Sequence, residues 1–151
     1  WFYGPEYEGM GRHCGGKGTL EQLANFPSWA DNLCFFVCNL QHGVVGMVIG
    51  YRADFRNRHI YTGCLIDKQY QGFDYGRNAQ MLWIDTLFKR DDLRKVLIEN
   101  VAEYLTPLYE ETGFKVVGRY KAHCLVNGEW KDEIVMECFK DDFIPIYKEP
   151  K

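Results

Sequence analysis

The chain has 151 residues, enough for one domain with a buried core. Hydrophobic residues make up 46% and charged residues 26%, the balance of a soluble globular protein, and a formal net charge of −3 carries no basic surplus of the kind that marks nucleic-acid binding. No apolar run is long enough to span a membrane and no basic-then-apolar leader opens the chain, so a cytoplasmic protein with no membrane and no nucleic-acid partner is expected.

The chain opens on Trp1 rather than Met, and is read as trimmed at its start. Cysteines stand at 14, 34, 38, 64, 124 and 138, and all but Cys14 lie in apolar, strand-like runs. Reduced, buried thiols are the expectation. A zinc site from His13, Cys14, Cys34 and Cys38 is the competing reading, weakened by the lack of any C-x-x-C pair, and no metal is expected.

The first eighteen residues are glycine- and aromatic-rich without period and read as loop. Thr19-Leu20-Glu21-Gln22 has the form of a capping box, which predicts a short helix from Leu20 to Phe26, stopped by Pro27. Leu33–Leu40 and Val44–Tyr51 are β-rich runs around the turn Gln41-His42-Gly43, a hairpin pattern. Asp54–Arg58 is a polar turn, and strand character returns at His59–Ile66.

The period then changes. Ala79, Leu82, Trp83 and Leu87 fall on one helical face after Gly76, and Ile84 and Phe88 widen it. Leu93–Ile98 reads as the next strand. Val101–Thr112 reads as a helix that is kinked at Pro107 or begins late with Thr106 as N-cap, and Gly113 is a C-terminal stop. Phe114–Leu125 and Glu133–Phe139 are strands joined through Asn127-Gly128. With no repeat or linker, the whole chain reads as one α+β domain with a mixed sheet flanked by helices.

Tyr70–Ala79 (Y-Q-G-F-D-Y-G-R-N-A) joins a strand to a helix. A helix N-terminus offers unpaired N–H groups and a partial positive charge, which favour phosphate. Gln71, Gly72 and Gly76 suit such a loop, and a guanidinium at Arg77 suits the same ligand. A plain structural turn before a helix would look much the same.

Three segments, in this order, resemble the GNAT superfamily of N-acyltransferases, most closely the branch that includes ribosomal-protein N-terminal acetyltransferases. They are Asp67–Ala79, Leu108–Arg119 (L-Y-E-E-T-G-F-K-V-V-G-R) and His123–Met136 with its turn Val126–Asp132. The resemblance spans Tyr61–Phe139; the family's first strand and first helix have no clear counterpart.

The resemblance implies a GNAT-like fold in which central parallel strands splay around the pantetheine arm of acetyl-CoA. It implies direct attack of a primary amine on the thioester in a ternary complex. Gln71, Gly72, Asp74, Tyr75, Gly76, Arg77 and Asn100 carry over as cofactor-binding residues, and Tyr109 as the acid toward the CoA sulfur. Three departures stand out. Asp74 replaces a family glycine, and an aspartate at a helix start reads as a structural N-cap. Tyr61 stands where many relatives place a glutamate base, which leaves His59, Asp67 or the more distant His123 as candidates for that task. Asn100 lies further from Tyr109 than the family spacing. The acceptor, a small-molecule amine or a protein N-terminal amine, would meet Trp1, Phe2, Tyr3, Tyr7, Trp29 and Trp130, with Glu6, Glu8 and Glu129 suiting a cation. A homodimer is left open. The alternative function is a non-catalytic acyl-CoA-binding or regulatory domain on the same fold.

Overall fold

The computed structural model describes residues 33–148. The early loop, the capping-box helix, His13, Cys14, and the early aromatics and glutamates lie outside them. The elements are β1 (Leu33–Asn39), β2 (Gly43–Asp54), β3 (His59–Ile66), α1 (Tyr75–Arg90), β4 (Lys95–Asn100), α2 (Thr106–Glu110), β5 (Lys115–Val126) and β6 (Glu129–Phe139). They build one six-stranded sheet in the order β1-β2-β3-β4-β6-β5, with β3–β4 its parallel pair and every other neighbouring pair antiparallel. This is the mixed sheet flanked by helices that the element order predicts.

α1 packs on one sheet face. Its buried side chains include Met81, Trp83, Ile84, Leu87 and Phe88. They meet Val48, Ile60, Val96, Ile98, Phe114 and Met136 in the main core, each contributing about 1.5–3 kcal/mol by burial. Gln80 also turns inward, donating from Nε2 to Thr62 Oγ1 at 3.4 Å. Leu82, which the sequence places on the buried face, is 60% exposed. At 3.6 residues per turn it points away from the side that Met81, Ile84 and Phe88 bury.

Three further boundaries differ from the sequence reading. The strand expected from Leu93 begins at Lys95, because Leu93 N–H closes a turn on Asp91 C=O at 2.7 Å; Leu93 fills the core from the connection. The Val101–Thr112 stretch is not one helix. A 3-10 turn at Glu103–Leu105 precedes the short α2, and Pro107 sits in its first turn, where the missing N–H costs nothing. Leu105, not Thr106, holds the cap position, and Thr106 Oγ1 is buried without a partner. Finally, β6 begins at Glu129 rather than Glu133, directly after Asn127 and Gly128, whose φ values of 51° and 78° make the tight turn a two-residue hairpin needs.

Candidate active site

β3 and β4 form ladder pairs at His59–Lys95, Ile60–Val96 and Tyr61–Leu97. Beyond these β3 runs on to Ile66 and β4 to Asn100 without pairing to each other. The parallel pair is therefore closed at its N-terminal end and open toward its C-terminal end. Arg94 N–H and Lys95 N–H both donate to Arg58 C=O, at 2.8 and 3.3 Å, and fix the closed end. The free edge of β4 beyond Leu97 can receive an extended ligand as an added strand.

The loop at the open end is held by local bonds. Asp67 accepts from Gln69 N–H at 3.1 Å and caps the 3-10 turn Lys68–Tyr70. Gln71 Nε2 donates to Ile66 C=O at 2.9 Å, tying the loop to the end of β3. Gly72 has φ +84°. Asp74 stands at the N-cap position of α1, yet its side chain caps nothing. Its φ of 61° is left-handed, a conformation glycine adopts freely and other residues only at a cost. That is a backbone reason for glycine at this position. The first helical bond runs from Asn78 N–H to Asp74 C=O at 3.0 Å, so the amides of Tyr75, Gly76 and Arg77 precede it and point out of the helix end.

Arg77 turns inward rather than into solvent. Its side chain is 8% exposed and Nη2 donates to Glu111 Oε2 at 3.1 Å, while Nε is buried with no partner. A charged donor left unmet inside the protein calls for an acceptor. Together with the helix amides it fits an anionic group such as a phosphate. Asn100 is committed elsewhere: Nδ2 donates to Ala102 C=O and Oδ1 accepts from Ala102 N–H, both at 2.8 Å. It shapes the exit of β4, and any ligand contact would come from its backbone. Tyr75 Oη accepts from Asn39 Nδ2 at 3.3 Å and its ring stacks on Phe73.

Tyr109, on α2, is buried in the main core with its ring edge-on to Phe114 at 5.6 Å. Burial holds its phenol well above the usual range, and Cys64 and Tyr104 add to the effect. Cys64 lies on β3 beyond its ladder pairs with β4, and its thiol, directed at Gly76 C=O, is pushed up to about 12 by burial. The phenol therefore stays protonated at neutral pH, a hydrogen-bond donor on the core side of the sheet.

The other sheet face carries groups that sequence reasoning missed. Glu99, on β4 two positions past Leu97, is 10% exposed. Tyr51 Oη donates to its Oε2 at 3.4 Å, and Arg52 Nη1 donates to Oε1 at 3.2 Å and Oε2 at 3.3 Å. The Arg52 guanidinium also lies over the Tyr51 and Tyr61 rings, at 5.9 and 5.5 Å. Burial raises the Tyr61 phenol, Glu99 raises it further and Arg52 opposes them. Glu133, almost fully buried, stands on the same face in β6 with His123 Nε2 at 3.5 Å. Only strand pairing that is distant in sequence assembles this group, so no local motif announces it.

Of the proposed bases, His59 lies in the paired part of β3, before the opening, and Asp67 is engaged in its own turn beyond the strand. His123 sits on β5, beside Tyr120. Glu129 pairs with Lys131, and Trp130 is exposed near the tip of the β5–β6 hairpin. Cys34 and Cys38 are four residues apart along β1, roughly 13 Å at strand rise, too far to share one zinc ion.

No family model and no curated protein sequence matches the chain. Solved structures do. A mutant spermidine N-acetyltransferase SpeG from Vibrio cholerae is 24% identical, with 81% of this chain and 74% of that chain covered and a TM-score of 0.72. A chimera of Vibrio cholerae SpeG with hSSAT is also 24% identical, covering 81% and 77%, with a TM-score of 0.73. The Vibrio cholerae spermidine/spermine N-acetyltransferase SpeG in complex with manganese ions is 22% identical, covering 80% and 72%, at 0.72. The chain thus has the fold of the GNAT N-acetyltransferases.

Proposed function

We propose that the chain is an acetyl-CoA-dependent N-acetyltransferase that moves an acetyl group to a primary amine by direct attack in a ternary complex. The observation that carries this reading is the convergence on one opening of a free strand edge, a helix N-terminus with the buried Arg77, and the protonated Tyr109. The pyrophosphate of the donor would meet the amides of Tyr75, Gly76 and Arg77, with Gln71, Gly72 and Asp74 shaping the loop. As the thioester C–S bond breaks, Tyr109 would donate to the departing sulfur. Its raised pKa makes full transfer to a thiolate unfavourable, so the donated hydrogen bond is its main contribution.

Two features point to different acceptors. The sequence motifs resemble the ribosomal-protein N-terminal branch, which favours a protein N-terminus. The structural neighbours are spermidine enzymes, which favours a small polyamine. Two nearly buried carboxylates, Glu99 and Glu133, on the face away from α1 suit a multiply charged cation, so spermidine is the acceptor of choice.

Acetyl-CoA at a hundred times its dissociation constant should stabilise the chain by about 2.7 kcal/mol, read as a rise in melting temperature. No rise would count against both the enzyme and the non-catalytic acyl-CoA-binding alternative. A rise without acetylation of spermidine or of a peptide N-terminus would favour the alternative, which the carboxylate of Asp74 in the loop supports.

Asp74→Gly should tighten acetyl-CoA binding about three- to tenfold, because one like-signed charge leaves the loop. It should also stabilise the fold by up to about 1 kcal/mol, since relief of the left-handed backbone outweighs the added glycine entropy. Calorimetric titration and chemical denaturation measure the two effects. Weaker binding in the glycine variant would argue against phosphate at this loop.

A further inference from the structure

We infer that Glu99 is the group that takes the proton from the attacking amine, with Tyr51 and Arg52 as the residues that position its carboxylate. This rests on the acetyl-transfer reading and assigns its proton acceptor, for which Tyr61 occupies the strand position where a glutamate would be expected.

Three independent features lead there. The first is position. Side chains alternate along β4, so Val96 and Ile98 enter the core beneath α1 while Leu97 and Glu99 face the other side. Glu99 stands on the strand that borders the opening, just past the last ladder pair at Leu97. Tyr109 lies in the core on the opposite side of the sheet, with Val96 and Ile98. In the tetrahedral species, nitrogen and sulfur are separate substituents of one carbon, so a donor for sulfur and an acceptor for the N–H proton must come from different directions. Tyr109 and Glu99 do.

The second feature is the way the carboxylate is held. Strict alternation would put Tyr51 and Arg52 on opposite faces of β2. The register of β2 against β3 shifts between Tyr51 and Asp54, and Arg52 has a left-handed φ of 49°. The bulge brings both side chains to the same face, where both bond Glu99. Strained backbone of this kind persists where surrounding structure enforces it and clusters at functional sites. The Arg52 side chain is 61% exposed, so its charge is screened by water.

The third is the environment. Tyr51, Tyr61, His59 and Arg52 face this site from β2 and β3, Glu133 from β6, and Tyr120 and His123 from β5. Among these Glu133 is a strand further from the opening and pairs with His123. Of the two carboxylates, Glu99 is therefore the one on the strand that borders the opening.

The neutral amine nitrogen forms a bond to the thioester carbon and becomes positive. Glu99 accepts one of its protons, the C–S bond breaks, and the sulfur leaves with the electron pair as a thiolate that accepts a hydrogen bond from the Tyr109 hydroxyl. The proton held by Glu99 then passes through solvent to the thiolate, giving amide and free CoA thiol.

The test compares wild type and Glu99→Gln on spermidine, a basic alkylamine, and on an arylamine, which is neutral at assay pH and whose tetrahedral nitrogen loses its proton readily to water. Removing a general base should lower kcat on spermidine about a hundredfold or more. The KM for acetyl-CoA should stay unchanged, and the loss on the arylamine should be under about tenfold. A structural defect would lower both acceptors by the same factor, and that outcome, or spermidine turnover within twofold of wild type, overturns the inference. Glu99→Asp, which keeps the charge but withdraws the carboxylate, supplies the same comparison if the glutamine variant does not fold. A wild-type chain that acetylates neither amine overturns the acetyl-transfer reading, and the assignment of Glu99 with it.

Discussion

Tyr109→Phe is expected to lower turnover about a hundredfold, the loss typical of a deleted donor at a developing anion, while the dissociation constant for acetyl-CoA changes less than about twofold. The split follows from where Tyr109 sits. Its ring is part of the core against Phe114, and phenylalanine keeps that packing. Only the hydroxyl is removed, and the hydroxyl is protonated in both the free and the donor-bound protein because burial raises its pKa. It therefore helps mainly as charge gathers on sulfur, a moment absent from the ground state, so kcat and kcat/KM for acetyl-CoA should fall together. Steady-state kinetics alongside calorimetric binding reads both numbers. Unchanged turnover would remove Tyr109 from the chemistry.

The largest expected effect on stability is at Gly113. Its φ is +95°, and an added Cβ would lie 2.0 Å from Asp142 C=O and 3.4 Å from Cys138 Sγ. Gly113→Ala should cost roughly 2–5 kcal/mol, combining about 1–2 for a left-handed alanine with about 1–3 for overpacking against backbone. The damage would reach the candidate site. Tyr109 C=O accepts from Thr112 N–H, Thr112 Oγ1 and Phe114 N–H at 3.0, 2.8 and 3.1 Å, so this turn fixes the end of α2. On the other side, Ile144 N–H bonds Thr112 C=O at 3.1 Å and Phe143 packs on Phe88 at 5.6 Å, and both would be pushed outward. Urea denaturation measures the loss as a lower midpoint at unchanged slope. A midpoint equal to wild type would mean the Asp142 turn yields freely.

Features set by neighbouring residues were legible in the sequence. The hairpin at Gly43, the Asn127-Gly128 turn, the strand His59–Ile66 and the stop at Gly113 all depend on local backbone chemistry, and each stands where its residues put it. Helix phase was less legible, because hydrophobicity alone put Leu82 inside and gave no reason for Gln80, which is buried by its bond to Thr62. The loop Tyr70–Ala79 could be located, yet the left-handed backbone at Asp74 that explains a glycine there is visible only in the fold. Least legible was the cluster of Tyr51, Arg52 and Glu99. It needs three strands to pair and a bulge to break the alternation from which strand faces are read.

On the proposed reading, the opening between β3 and β4 holds acetyl-CoA and delivers its acetyl group to an amine. The most direct measurement incubates the purified chain with acetyl-CoA and spermidine, following free thiol and the mass of the polyamine together. Release of CoA thiol in step with acetylated spermidine, at a rate well above that without protein and strongly reduced in Tyr109→Phe, is the expected result. Neither thiol release nor acetylated amine, from spermidine or from a peptide N-terminus, under conditions where the chain is folded would contradict it.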